Sequence, residues 1–130
     1  MWADLVRPLL RVLVVEDEFL VAIVLEEDLK TFGIDVVGPY SSLDAATEAA
    51  RKEAYDLAIL DINLNGKMVY PLAEELIERG KPFLFLSGYE SVHLPERLRT
   101  VPRLSKPYYT KALVDLVYEL VRGPGGSRSA

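Results

Sequence analysis

The sequence predicts an α/β domain built on a doubly wound, five-stranded parallel sheet, and three observations carry that prediction. Short apolar runs alternate with stretches of helical periodicity along almost the whole chain. The apolar runs do not alternate with polar residues, so they read as strands buried on both faces, as helices packed on either side of a parallel sheet require. At 130 residues the chain is the size of one domain with one core.

The elements follow in order. Val12–Val15 is the first strand, an unbroken apolar run rich in valine. A helix comes next, with Ala22, Leu25, Leu29 and Phe32 on one face and Gly33 as its stop. Ile34–Val37 is a weaker strand, closed by Gly38-Pro39. Ser41 and Asp44 suggest a capping box for a second helix reaching Ala54, and Leu57–Leu60 is the next buried strand. Pro71 opens a third helix whose stripe is Val69, Leu72, Ala73, Leu76 and Ile77, with Gly80 ending it. Phe83–Leu86 and Arg103–Ser105 supply the last two strands. Between them Pro95 and Pro102 leave room only for a short or irregular fourth helix. The final helix runs from about Tyr109 to Val121, with Leu113, Leu116, Val117 and Leu120 inward; Val114, Tyr118 and Val121 widen that face or form an interaction surface. Residues 1–10 read as an N-terminal extension, 11–122 as the domain and 123–130 as a flexible Gly/Pro/Ser-rich tail.

Composition narrows the function. A net charge of −5 argues against binding nucleic acid or an anionic membrane, and the absence of cysteine removes disulfides and thiolate metal sites. The longest apolar run, Phe19–Leu25, is far short of the roughly 20 residues that span a bilayer. The N-terminus lacks a secretory h-region, so the expected compartment is the cytoplasm.

Five strands with right-handed crossovers favour the order 2-1-3-4-5, which places a ligand site at the carboxyl ends of the neighbouring strands 1 and 3. Strand 1 ends in Glu16-Asp17-Glu18, strand 3 in Asp61, strand 4 in Ser87 and strand 5 in Lys106. Crowded carboxylates repel, and a magnesium ion, which accepts one or two carboxylates with carbonyl and water oxygens, resolves the repulsion. An ionised Asp is a competent nucleophile toward phosphorus, giving an acyl phosphate. Charge then spreads over three equatorial oxygens, matched here by magnesium, the Lys106 ammonium and the Ser87 hydroxyl. Each residue alone has a plainer role as helix-dipole partner, turn, cap or surface lysine. Their joint placement at successive strand ends is the signal.

These residues resemble the receiver domain of bacterial two-component response regulators, from about Arg11 to Arg122, a flavodoxin-like fold. VLVVEDE resembles that family's first strand and acidic pair, and LAILDINLNG its phosphoacceptor strand, which makes Asp61 the acceptor. The resemblance further implies Mg2+ held by Asp17, Asp61 and the backbone carbonyl of Asn63, with Glu16 acting through water. It implies Ser87 and Lys106 as the phosphoryl-binding pair and a cis peptide before Pro107. PFLFLSGY, VVGPYSS and the Tyr70-Pro71 pair resemble the single-domain FAT GUY group, which implies a histidine kinase, of HWE or HisKA2 type, or a histidine phosphotransferase as partner. The position three before the lysine, often a switching aromatic in the family, is Arg103, and Tyr89 is the substitute candidate. The segment Glu90–Pro102 is expected to have low local stability and to serve as the switch element.

Three functions stay open on the sequence. The first is a stand-alone phosphorylated signalling domain without enzymatic turnover, acting as relay, sink or partner-binding switch. The second is a receiver-like interaction module that is not phosphorylated, and the third a Mg2+-dependent phosphohydrolase with Asp61 as nucleophile. Against the third, Asn63 stands where such enzymes carry an acid. Asp61–Gly66 also matches the opening of a calcium loop, but Leu72 occupies the place of its bidentate Glu. His93, the only histidine, reads as solvated, with a phosphorelay role as the alternative. Self-association of the domain is also open.

Overall fold

The computed structural model describes residues 9–88 and 93–128. Seven strands succeed one another: β1 (Arg11–Val15), β2 (Asp35–Tyr40), β3 (Leu57–Asp61), the two-residue pair β4 (Asn63–Leu64) and β5 (Lys67–Met68), β6 (Phe83–Ser87) and β7 (Arg103–Ser105). The main sheet has the order β2-β1-β3-β6-β7, all parallel, which is the predicted 2-1-3-4-5 once the small β4–β5 hairpin is set aside. Helices α1 (Phe19–Thr31), α2 (Leu43–Lys52), α3 (Tyr70–Glu78) and α4 (Thr110–Arg128) cover its faces.

Strand alternation divides the core in two. Val12, Val14, Leu57, Ile59, Leu84 and Leu86 face Leu25 and Leu29 of α1 and Leu113, Val114 and Val117 of α4. Leu13, Val15, Ala58, Leu60, Phe83 and Phe85 face α2 and α3. The strand runs are apolar throughout because both sets are buried.

Several local expectations shift. β2 does not close at Gly38-Pro39 but continues to Tyr40. Leu13 pairs with Val37 and Val15 with Tyr40, so two β2 residues oppose one of β1 in a bulge. An edge strand tolerates a proline there, since no ladder partner awaits its missing N–H. Gly38 is required, because it sits at φ 106 and a Cβ would lie 2.8 Å from the Tyr40 ring. The cap of α2 is Ser42 rather than Ser41: its hydroxyl accepts from the Ala45 N–H, and the helix ends at Lys52, short of Ala54. Phe32 is the C-cap of α1 and half exposed, not part of its buried stripe.

The fourth helix, expected to be short or irregular, is among the described residues a single 3-10 turn, Glu96–Leu98, started by Pro95. It is anchored: Leu98 is fully buried, and Arg97 reaches Glu74 at 2.7 Å and Glu78 at 3.5 Å on α3. In α4, Val114 joins the core, which removes it from any surface. Helical backbone breaks at Gly123 (φ 72, ψ 170) and resumes to Arg128, where a flexible tail was expected. Residues 1–8 of the expected N-terminal extension, and Tyr89, lie outside the described residues. Among the described residues no helix is long and apolar enough to cross a membrane.

Candidate functional site

Each site residue owes its place to a strand end. β1 delivers Glu16 and Asp17, β3 ends on Asp61, β6 on Ser87, and Lys106 follows β7 directly. The backbone ties the last two together, since the Lys106 N–H donates to the Ser87 carbonyl at 2.8 Å. The Lys106–Pro107 peptide is cis, as the resemblance implied, and so is Gly38–Pro39.

Carboxylate oxygens of Glu16, Asp17 and Asp61 all lie within 4.8 Å of one another. Glu16 is 1% and Asp61 6% exposed. One cation faces them: Lys106 Nζ lies 2.8 Å from Glu16 Oε1, 3.5 Å from Asp61 Oδ2 and 3.6 Å from Glu18 Oε1. The first contact is an ion pair whose alignment falls short of a hydrogen bond, which leaves Glu16 Oε1 without a hydrogen-bond partner. The other Glu16 oxygen accepts from the Glu18 N–H at 3.1 Å, which holds the chain where α1 begins. Asp17 Oδ2 accepts from the Asn65 N–H at 3.0 Å.

That Asn65 belongs to a turn whose Asn-Gly pair the sequence reading weighs only against a calcium loop, which it rejects. Asn65 (φ 53) and Gly66 (φ 91) form the positive-φ turn of the β4–β5 hairpin, the strongest short-range signal an Asn-Gly pair carries. The hairpin fixes Asn63 beside the carboxylates, with its side-chain oxygen held by the Gly66 N–H at 2.7 Å.

The electrostatics follow from three acids against one lysine. Burial first, then Glu16 and Asp17, push the Asp61 carboxyl from its ordinary 3.8 up to about 8, with Lys106 opposing. Without a second cation these neighbours disfavour the ionised form that a nucleophile needs. Burial works to lower the Lys106 pKa, but Glu16, Asp61 and Glu18 outweigh it and the net direction is upward. Three clustered carboxylates, two of them buried, on which a single ammonium is spent, are the donor set a hard divalent cation takes, so the residues fit magnesium.

A cavity of about 550 Å³ opens over this cluster. Besides the expected residues it is lined by Asn65, Met68, Tyr70 and His93, which the sequence reading did not place there. A second groove of about 870 Å³ shares Glu18, Gly88 and Lys106 with it and runs along α1, lined by Leu20, Val21, Val24, Pro107 and Tyr108. The outer face of α1 is apolar: Phe19 and Leu20 are each 74% exposed, and Ile23 and Val24 stand beside them. Burial, with Asp28 and Glu16 nearby, pushes the Tyr108 hydroxyl up to about 12.

An acid cluster with one lysine at the switch point of a doubly wound sheet defines a phosphoryl-transfer type of pocket. The chain belongs to the response regulator receiver domain family, which it matches over residues 12–117. It is 30% identical to the transcriptional regulatory protein PdtaR of Mycobacterium tuberculosis over 82% of its own length, and spans about half (54%) of that relative. The solution structure of SdrG from Sphingomonas melonis Fr1 is 33% identical, with a TM-score of 0.77 over 87% of this chain and 97% of that one. The receiver domain of PhyR from Erythrobacter litoralis is 27% identical, with a TM-score of 0.73 over 88% and 92%. Receiver domains of this family take a phosphoryl group on an aspartate, generally from a histidine kinase.

Proposed function

We propose that this chain is a phosphoacceptor domain in which Asp61 is the phosphorylated residue. The observation that carries it is the meeting of Glu16, Asp17 and Asp61 within 4.8 Å, with Lys106 Nζ 3.5 Å from Asp61. An Asp61 carboxylate oxygen bonds to phosphorus as the donor's P–N or P–O bond breaks, and the donor leaves with the electron pair. Magnesium, when bound, would neutralise the carboxylates and polarise the phosphoryl group. Asp17, Asp61 and the Asn63 carbonyl would hold it. Glu16 would act through water, since both its oxygens are already engaged by Lys106 and the Glu18 N–H. Lys106 and the Ser87 hydroxyl bind phosphoryl oxygens. Asn63 stands where such hydrolases carry the acid that protonates a leaving alcohol, so the domain is read as a signalling element rather than a phosphohydrolase.

The donor is read as a histidine kinase of the HWE or HisKA2 type, or a histidine phosphotransferase, through the resemblance of PFLFLSGY to the FAT GUY group. A donor that delivers its group to Asp61 must rest on the pocket's rim. The apolar α1 face, joined to the pocket through Glu18 and Lys106, is the surface that adjoins it. SdrG offers a parallel, with a BeF3-activated conformation at 33% identity.

Incubation with acetyl phosphate and magnesium tests the reading by intact mass. The wild type should gain one phosphoryl group and Asp61→Asn none. A wild type that stays unmodified would return the chain to the class of unphosphorylated interaction modules.

A further inference from the structure

Among the polar groups that line the cavity over Asp61 and that the reaction as described leaves unused, the Tyr70 hydroxyl is buried. Tyr70, the first residue of α3, lines the cavity together with Asp61 and Ser87. Its ring packs against the core that also takes Leu98 and Val101. Its hydroxyl oxygen is buried and has no hydrogen-bond partner. A buried, unpaired hydroxyl is unfavourable, and a functional role is one of the reasons native proteins keep such a group. Burial raises its pKa, against the pull of the Arg103 guanidinium, so at neutral pH the group is a donor with its proton in place.

Ser87 shows which state supplies the partner. Its hydroxyl carries one proton, and a phosphoryl oxygen on Asp61 would claim it. The Ser87 oxygen then presents lone pairs to the cavity, and a second donor strengthens the bond already made, since hydrogen bonds in a chain polarise one another. Resting on the reading of Asp61 as phosphoacceptor, we propose that Tyr70 is a positioning residue of the phosphoryl site. Its hydroxyl donates to Ser87 Oγ when that group turns to the phosphoryl oxygen, and holds Ser87 in the bound rotamer. The role falls on α3 in a chain whose β7 carries Arg103 rather than an aromatic side chain.

Tyr70→Phe keeps the ring and deletes only the hydroxyl. The measurement is thermal stability in magnesium, with beryllofluoride added as the phosphoryl mimic and titrated to obtain its apparent affinity. The resting melting temperature of the variant should be unchanged or higher, because the lost group had no partner. Its affinity for beryllofluoride should fall about fivefold, the size of one hydrogen bond. Ser87→Ala should weaken binding as well, and adding Tyr70→Phe to it should weaken it no further, because the tyrosine acts through the serine. Wild-type affinity in Tyr70→Phe would overturn the proposal, as would a loss fully additive with Ser87→Ala. A resting melting temperature that falls in step with affinity would show the hydroxyl to be a packing element instead. A wild type that beryllofluoride does not stabilise would sink the reading of Asp61 itself.

Discussion

The two ends of the parallel sheet use the same charged residue types to opposite effect. At the amino end the charges of Arg11, Asp35, Asp56 and Lys81 all have partners, while Arg103 at the start of β7 stays exposed. Arg11 donates to Asp35 at 2.9 Å and to the Ala54 carbonyl at 2.7 Å, and its backbone N–H meets Asp56 at 2.8 Å. Lys81 donates to the Tyr55 carbonyl at 3.0 Å and lies 4.6 Å above that tyrosine's ring, while Arg79 and the Tyr55 hydroxyl satisfy the Ala50 carbonyl at the end of α2. At the carboxyl end Glu16 and Asp61 are buried, Asp17 joins them, and among the described residues the Lys106 ammonium is the one cation in contact with Glu16 and Asp61. One end is neutralised and adds modestly to stability. The other keeps surplus negative charge, which a bound divalent cation would offset. Function here is stored as local destabilisation.

The largest expected effect comes from removing the lone cation. Lys106→Met leaves buried carboxylates uncompensated and should cost about 3–5 kcal/mol in metal-free urea unfolding near pH 8. A loss at the level of a surface lysine would mean that the acid cluster is solvated and the contrast between the ends is overstated.

Asp61→Asn should act in the other direction, stabilising the metal-free protein by about 1–3 kcal/mol near pH 8 through loss of a buried like charge. The pH dependence gives the sign. The folded carboxyl, pushed up to about 8 from 3.8, keeps a proton that the unfolded chain has released throughout that interval. Stability that is full below about pH 4 should therefore decline as pH rises toward 8, and Asp61→Asn should lack that decline. Parallel pH profiles for the two proteins would contradict the strained pocket.

The smallest effect belongs to the amino end. The Arg11–Asp35 pair is more than a third exposed on both sides, so Arg11→Ala should cost only about 0.5–1 kcal/mol in the same unfolding measurement, salt-sensitive and without effect on phosphoryl uptake. A loss comparable to that of Lys106→Met would erase the distinction between the two ends.

The carboxyl-end pocket was largely legible in the sequence for a topological reason. Strands buried on both faces announce themselves as apolar runs, and the residue after each run must stand at a sheet end, so Asp17, Asp61, Ser87 and Lys106 could be brought together without coordinates. Features that depend on which face of an element meets solvent were not legible. Phe19–Leu25 is apolar on every side, so periodicity cannot reveal that Phe19, Leu20 and Val24 face outward, nor that Val114 widens the buried face of its helix while Tyr118 stays exposed. Ser41 and Ser42 are adjacent and equally good caps, and only the backbone turn selects the second. Tyr70 reads as the start of a helix. That its hydroxyl is buried and its side chain lines the cavity over Asp61 depends on the tertiary fold. The Asp61 pKa likewise needs the burial and the neighbours, which sequence spacing does not supply.

The central claim is that the surplus negative charge at the carboxyl end serves to make Asp61 the phosphoryl acceptor. The most direct test locates the bond itself. Borohydride cleaves an acyl phosphate and converts the aspartate that carried it to homoserine, which peptide mass spectrometry reads residue by residue. After treatment with acetyl phosphate and magnesium, homoserine should appear at position 61 and nowhere else, and should disappear when Lys106 is replaced by Met or magnesium is withheld. Homoserine at Asp17 or another carboxylate, or a phosphoryl group that borohydride does not remove, would contradict the account.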